Sequence, residues 1–402
     1  MEYNKCELQE IASMKYGKMP KKDKIVDKGY PIYSGYKITG FYEEYMYDDE
    51  MIIVVARGVG GTGDVKLSPP KSYITNLSII LDTNENLVDK KYLQLLLHSM
   101  KLKYLDSGSA QSQITINDLK RLKICLPNIK HQKKLSSFIK LINRKIEINQ
   151  NIIANLEELS KTLFKRWFVD FEFPDENGNP YKSSGGEMVD SELGKIPKGW
   201  ECVYLKDIVH HKKDTFNPKK SNESEVKHFS LPAFDSGQYP TIDNVTDIKS
   251  NKWIIDENCI LFSKMNPTTR RIWVTSYNEN FLNVASSEFV VLKSDNSYRN
   301  AFIYNICISD KFNEYLVSNT TGSTNSRQRV KPDIAVQYRF AYNEEVSYLL
   351  SEKIEPYIEK IKIIREQNQN LTQIRDTLLP KLMSGEIEIP DDIEVNEDEL
   401  SI

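Results

Sequence analysis

Two stretches of the chain carry apolar residues at alternating four- and three-residue spacing, and the second lies 215 positions after the first. The first reads Leu135, Ile139, Ile142, Ile146, Asn149, Ile153, Leu156, Ser160 and Leu163; the second reads Leu350, Ile354, Tyr357, Ile361, Ile364, Asn368, Leu371, Arg375 and Leu378. A 3.5-residue period held over about four heptads predicts a coiled-coil stripe rather than the broader face of a general core helix. Asn128 and Asn343 stand where N-caps belong, and Glu344 and Glu345 suit a first helical turn. Pro356 has no backbone donor, so it should either kink the second helix or mark its beginning, with a short lead-in before it and a regular helix after it. Asn149 and Asn368 interrupt the two seams, and a seam asparagine fixes register at a cost in stability.

Elsewhere the apolar runs are short, β-branched or aromatic, and bounded by Gly, Pro and Asn, which predicts strands and loops. These segments also recur, more loosely. Leu8–Ile11 resembles Leu205–Ile208; Met51–Val55 before Arg57 resembles Cys259–Phe262 before Lys264; Tyr73–Leu81 resembles Val284–Leu292; Ser107-Gly108-Ser109 resembles Thr321-Gly322-Ser323. The chain is therefore read as α+β, with a pseudo-two-fold internal repeat. The expected divisions are a globular domain over 1–127, a helix over 128–169, a Gly/Pro/Ser-rich linker over 170–200, a second globular domain over 201–342, a helix over 343–385 and a tail over 386–402. After the second helix, Glu388-Ile389-Pro390-Asp391 echoes Glu172-Phe173-Pro174-Asp175, as though the chain were returning to its start.

An isolated helix with one apolar stripe is marginal in water, so the two seams are expected to bury each other as an antiparallel coiled coil. From Leu135 to Leu163 such a rod runs about 42 Å at ~1.5 Å per residue. Two modules held that far apart form a ruler. One turn of B-DNA, about 34–36 Å, is comparable, although any bivalent partner could use the same spacing.

Composition changes this picture little. The chain has 402 residues, enough for two domains with connectors, and 28% of them are charged. The net charge of −3 conceals an asymmetry: seven acidic residues and no basic ones fall within 387–402, leaving 54 basic against 50 acidic groups elsewhere. No apolar run approaches the ~20 residues of a membrane span, and the N-terminus has no apolar signal core. Cys6, Cys125, Cys202, Cys259 and Cys307 are odd in number and widely spaced, which argues against a disulfide framework or a paired-cysteine metal site. A cytoplasmic location is expected, with no membrane contact. The five histidines show no metal-ligand spacing, and His210-His211 beside Lys212-Lys213 reads as a solvated loop.

Phe164-Lys165-Arg166-Trp167-Phe168-Val169-Asp170-Phe171-Glu172-Phe173-Pro174 and Gly185-Gly186-Glu187-Met188-Val189-Asp190-Ser191-Glu192-Leu193-Gly194-Lys195-Ile196-Pro197-Lys198-Gly199-Trp200 are distinctive. With Leu126-Pro127, Gln132 and the run Arg375–Ile387, they resemble the specificity subunit of type I restriction–modification systems. The resemblance covers the whole chain in order, strongly in the helices and linker and weakly inside the globular domains. It implies that each globular domain is a target-recognition domain reading half of a split site in double-stranded DNA. It also implies that the chain is not an enzyme. Two modification subunits would carry S-adenosylmethionine and methylate adenine, restriction or translocase subunits could join them, and no cofactor would bind this chain. A rival reading from the repeat alone is a bivalent scaffold for two protein or glycan ligands.

Several polar loops are candidates for DNA contact. Arg57–Gly63 resembles a nucleotide loop but lacks the Gly-Lys-Ser/Thr of a P-loop, and Ser68-Pro69-Pro70 cannot open the helix that a dinucleotide fingerprint needs. It is either a surface hairpin or a loop laid on phosphates, with Arg57 and Lys66 as anchors. The second copy offers Lys264, Asn266, Thr268, Arg270 and Arg271. Ser109, Gln111 and Gln113 suit base edges, as do Asn325, Arg327, Arg329 and Lys331 in the counterpart; the alternative is a polar turn entering a helix. Arg166, Trp167, Phe168, Phe171 and Phe173 are candidates for docking a partner subunit, or else for core packing. No methyltransferase or nuclease motif and no metal ligand set is found.

Overall fold

A computed structural model describes residues 3–35, 37–58, 61–106, 112–211, 214–296, 298–322 and 328–390, with His211 described by its backbone alone. The chain divides into two compact units, Met1–Lys145 with Thr372–Ile402 and Ile146–Leu371. Both mix helices and sheets, so the fold is α+β. Among the described residues no helix is long and apolar enough to cross a membrane.

Unit 1 is built on a four-stranded antiparallel sheet in the order Ala12–Tyr16, Ser78–Thr83, Ile52–Val55, Val65–Leu67. Its central strand is apolar throughout because both faces are covered. Ile52 and Val54 face a core that includes the helix Lys90–Ser99 through Tyr92, Leu93 and Leu97, while Met51 and Ile53 face Tyr33, Ile74 and Ile80. The latter side holds a second sheet, in the order Ile25–Val26, Lys37–Tyr42, Tyr30–Ser34, Tyr73–Ile74, whose last pair is parallel. A ribbon of Asn4–Glu7 with Lys123–Leu126 closes the unit's ends together.

Unit 2 holds a four-stranded antiparallel sheet in the order His210–His211, Phe289–Lys293, Ile260–Ser263, Ile272–Val274. Here too side chains alternate between two cores: Ile260, Phe262, Val290 and Leu292 on one face, Leu261, Phe289 and Val291 on the other. A five-stranded sheet and a ribbon of Glu201–Tyr204 with Arg339–Tyr342 complete it. The runs Tyr73–Leu81 and Val284–Leu292 each contribute to two strands, broken by turns at Asn76-Leu77 and Ser287-Glu288.

Two helices are far longer than the rest, Ile129–Phe168 and Glu344–Ser384. Asn128 caps the first by accepting from the His131 amide at 2.9 Å, and Asn343 caps the second by accepting from the Val346 amide at 3.0 Å. The second helix continues through Pro356 instead of beginning there. The proline ring lies on the exposed side, and Ile354 and Ile358, 0% and 2% exposed, anchor the helix on both sides of it. That burial offsets the roughly 3 kcal/mol cost of an interior proline.

Candidate nucleic-acid interface

In unit 1 the central strand Ile52–Val55 delivers Arg57 to its exposed end. Arg57 faces Gln113 across an antiparallel bridge, and the Ile114 amide donates to the Ala56 carbonyl at 2.9 Å. The Asp106 carboxylate orders the segment beside it, accepting from the Gln113 amide at 2.8 Å and from Ser112 Oγ at 2.5 Å. Gly63, at φ +92°, lets the loop approach closely; a Cβ there would lie 2.7 Å from the Lys103 nitrogen. The loop, Lys101–Asp106 and the Arg375–Pro380 stretch line a cleft of about 1100 Å³. Lys66 is half-buried on the edge strand opposite Ile53. Ser109 and Gln111 lie outside the described residues.

Unit 2 has the same local pattern. The strand Ile260–Ser263 delivers Lys264, whose carbonyl accepts from the Val330 amide at 3.0 Å, and Met265 bridges Arg329. Asn266 is left-handed at φ 50°, donates its amide to the Gln328 carbonyl at 2.9 Å and accepts from Thr268 Oγ1 at 2.7 Å. The arginines are committed to carboxylates. Arg271 binds Asp235 with two bonds, at 2.7 and 3.0 Å, and Arg329 binds Glu288 with two, both at 3.2 Å. Arg270 pairs with Asp310 at 2.8 Å. Lys161 and Arg270 hold the Asp310 carboxyl below the ordinary carboxylate range. Such pairs pre-orient a guanidinium while leaving donors outward, since it has five. Lys331 is exposed at the entry to the short helix Pro332–Ala335. Asn325 and Arg327 lie outside the described residues. Sequence reasoning missed Asp106, Asp235, Glu288 and Asp310, whose roles arise from pairing between distant segments and leave no local signal.

The long-helix residues fall in both units. In unit 1, Leu135, Ile139 and Ile142 are buried; Leu135 and Ile139 share a core with Leu382, Met383 and Ile389, and Leu378 is half-buried against it. Arg375 donates to Asn143 Oδ1 at 2.9 Å. In unit 2, Asn149 Nδ2 donates to Asn368 Oδ1 at 2.8 Å, both residues buried. Arg365 donates to Glu157 Oε1 at 2.8 Å, and Tyr304 donates to the same oxygen at 3.0 Å. Ser160 donates to Asn305 Oδ1 at 2.8 Å. Leu350, Ile354, Ile361 and Ile364 are buried, whereas Ile146, Ile153, Leu156, Leu163, Tyr357 and Leu371 are half-buried; Ile358, beside Tyr357, is fully covered.

The aromatic group after the first helix packs inside unit 2. Phe168 lies 4.7 Å from Phe302 and 5.0 Å from Trp200, ring centre to ring centre, and Phe173 lies 5.0 Å from Trp200. Trp167 is buried in the same core, Phe171 is half-buried with its ring edge-on to Trp200, and Arg166 is exposed. Among the described residues no three His, Cys, Asp or Glu side chains are grouped as metal ligands.

Residues 1–158 match the family described as the type I restriction modification DNA specificity domain. The chain is 26% identical over 298 residues to the type I restriction enzyme MjaIX specificity subunit of Methanocaldococcus jannaschii, a match spanning 72% of this chain and 66% of that one. It is 24% identical over 371 residues to the HindI specificity subunit of Haemophilus influenzae, spanning 77% and 80%. The fold is similar to the crystal structure of the type I restriction–modification S subunit from M. genitalium, with a TM-score of 0.61, 17% identity and coverage of 98% and 97%. The family match spans the sheets of unit 1 and the capped start of the first long helix, and the two relatives carry the similarity past the linker. Over most of its length the chain is thus similar to type I restriction–modification specificity subunits, and its first 158 residues match their DNA specificity domain.

Proposed function

We propose that this chain is the DNA-recognition subunit of a type I restriction–modification complex, reading a two-part duplex site and catalysing nothing itself. The observation that carries the reading is the repeated placement of a basic loop against a polar segment at a sheet's exposed end. In one unit Arg57 meets Gln113; in the other Met265 meets Arg329. The two four-stranded sheets share their strand pattern, which supports two target-recognition domains over 1–127 and 201–342 and an internal pseudo-two-fold repeat.

The helices 128–169 and 343–385 act as an antiparallel coiled coil setting the unread gap. Support comes from partner numbers that fall on one helix, from Asn368 to Arg365, as they rise on the other, from Asn149 to Glu157. The partners are double-stranded DNA and two modification subunits, which hold S-adenosylmethionine; restriction subunits join when cleavage is needed. The linker 170–200, with Arg166 on its approach, contributes to docking. Affinity comes mainly from phosphate contacts and specificity from each domain separately.

The test is selection of randomised duplex DNA by the complex with its modification subunits. Two half-sites at a fixed gap are expected. Deleting seven residues from each long helix changes the gap and leaves both half-sites as they were. An unchanged gap overturns the ruler, and recovery of one half-site overturns the pair of readers.

A further inference from the structure

A second group of cationic side chains gathers at the end of the sheet where Arg57 leaves unit 1. Tyr16 is level with Ile79 and Ile79 with Val54, so the strands ending at Tyr16 and Val55 run parallel, two places apart. At ~4.8 Å per strand, the residues that follow emerge about 10 Å from one another. Gly17 continues the ladder by donating to the Ser78 carbonyl at 3.1 Å, and Lys18 donates its amide to the Ile74 carbonyl at 3.0 Å. Only glycine fits at 17, where a Cβ would lie 2.3 Å from the Thr75 oxygen. The backbone is thus clamped to the sheet, and the side chains from Lys18 onward rim a cleft of about 630 Å³.

The cleft wall is aromatic. Tyr42 and Tyr73 lie 4.2 Å apart, ring centre to ring centre, and Tyr45 is 37% exposed. Two of the lysines are committed within the unit: Lys24 to Glu43 and Glu44 at 2.5 and 2.7 Å, and Lys15 over the Tyr47 ring at 5.1 Å. Lys18 and Lys21 are exposed and make no side-chain ion pair among the described residues. Glu44 also lines the cleft and attracts Lys21, but it is already bonded to Lys24, so an aromatic wall below two lysines without an ion pair of their own suits a sugar–phosphate strand. Ammonium groups bind phosphate without the planar geometry that reads a base edge.

We propose that the Lys18–Lys21 cleft grips the DNA backbone beside the half-site read by unit 1, as a sequence-independent anchor separate from the Arg57 loop. This rests on the DNA-recognition reading above. The test compares the full complex, wild type and Lys18→Gln/Lys21→Gln, on cognate and unrelated duplexes over a range of salt. Affinity should fall for both duplexes by the same factor, roughly ten-fold at low salt, with the log–log salt slope shallower by about 1.8, or 0.9 per lost phosphate contact. The selected half-sites should stay the same, and Lys18→Arg/Lys21→Arg should restore the slope. A variant with the wild-type slope overturns the anchor, and so does one that alters the selected half-site. A wild-type complex without salt-dependent duplex binding overturns the recognition reading itself, and that control separates the two failures.

Discussion

Glu157 offers the sharpest test of how unit 2 is held together. Its carboxylate receives Arg365 at 2.8 Å and Tyr304 at 3.0 Å, joining both long helices to the helix Arg299–Ile308. Arg365 is 5% exposed and Tyr304 1%. Burial pushes the Tyr304 phenol well above its ordinary pKa, so it stays protonated and donates. Glu157→Gln preserves shape and a hydrogen-bond acceptor but strands the guanidinium without a counter-charge. Breaking a fully buried pair costs about 3–5 kcal/mol. The Glu157 side chain is 34% exposed, so water relieves part of that and about 2–3 kcal/mol remains. For a unit of this size that lowers its melting transition by roughly 5–10 °C, measurable by calorimetry or urea denaturation of the full chain. Replacing the whole group by Glu157→Leu/Arg365→Met/Tyr304→Phe should return stability to within about 1 kcal/mol of wild type or above it, because desolvation of the charges disappears with them. A Gln variant that melts like wild type would refute the buried-charge argument. So would a triple variant no better than the single one.

The asparagine pair behaves likewise on a smaller scale. Asn368→Leu should cost about 1–3 kcal/mol by leaving the Asn149 amide buried and unpaired, while the double Asn149→Leu/Asn368→Leu recovers it; additive effects in a denaturation cycle would exclude the coupling. His228, 8% exposed with Asp243 at 2.7 Å from its Nδ1, is held below its ordinary pKa because desolvation outweighs the attraction of that carboxylate. The unfolded chain then takes up the proton first, so stability is complete above about pH 6.5 and declines as pH falls below it. His228→Gln should flatten that decline in pH-dependent melting, and an identical profile would exclude the histidine as its source.

Some of this was legible in residue order. The two helices could be read from their spacing and caps because helical contacts are local. The strands at Ile52–Val55 and Ile260–Ser263 announced themselves as apolar runs because both their faces are covered. The second helix runs through Pro356 over nearly the span read from its spacing, and a start at the proline fails because the local rule weighs a missing hydrogen bond but not the burial of Ile354 and Ile358 on either side. The turns within Tyr73–Leu81 and Val284–Leu292 fall at Asn76-Leu77 and Ser287-Glu288, a polar signal inside runs that resemble each other as single segments. Within the candidate interface, sequence could nominate Arg270, Arg271 and Arg329 by type alone. That Asp310, Asp235 and Glu288 engage them depends on strand pairing between segments some forty residues apart.

Amino-acid order by itself determined the two long helices, the apolar strands and the likeness to type I specificity subunits, since each rests on short-range periodicity or on contiguous motifs. Tertiary structure alone decided which cations stay uncompensated, which seam polar groups meet, and that the rings after the first helix serve unit 2's own core. These outcomes are set by distances between chain segments remote in sequence. A side chain's charge or ring is written in the sequence, but its partner is chosen only when the sheets and helices close around it.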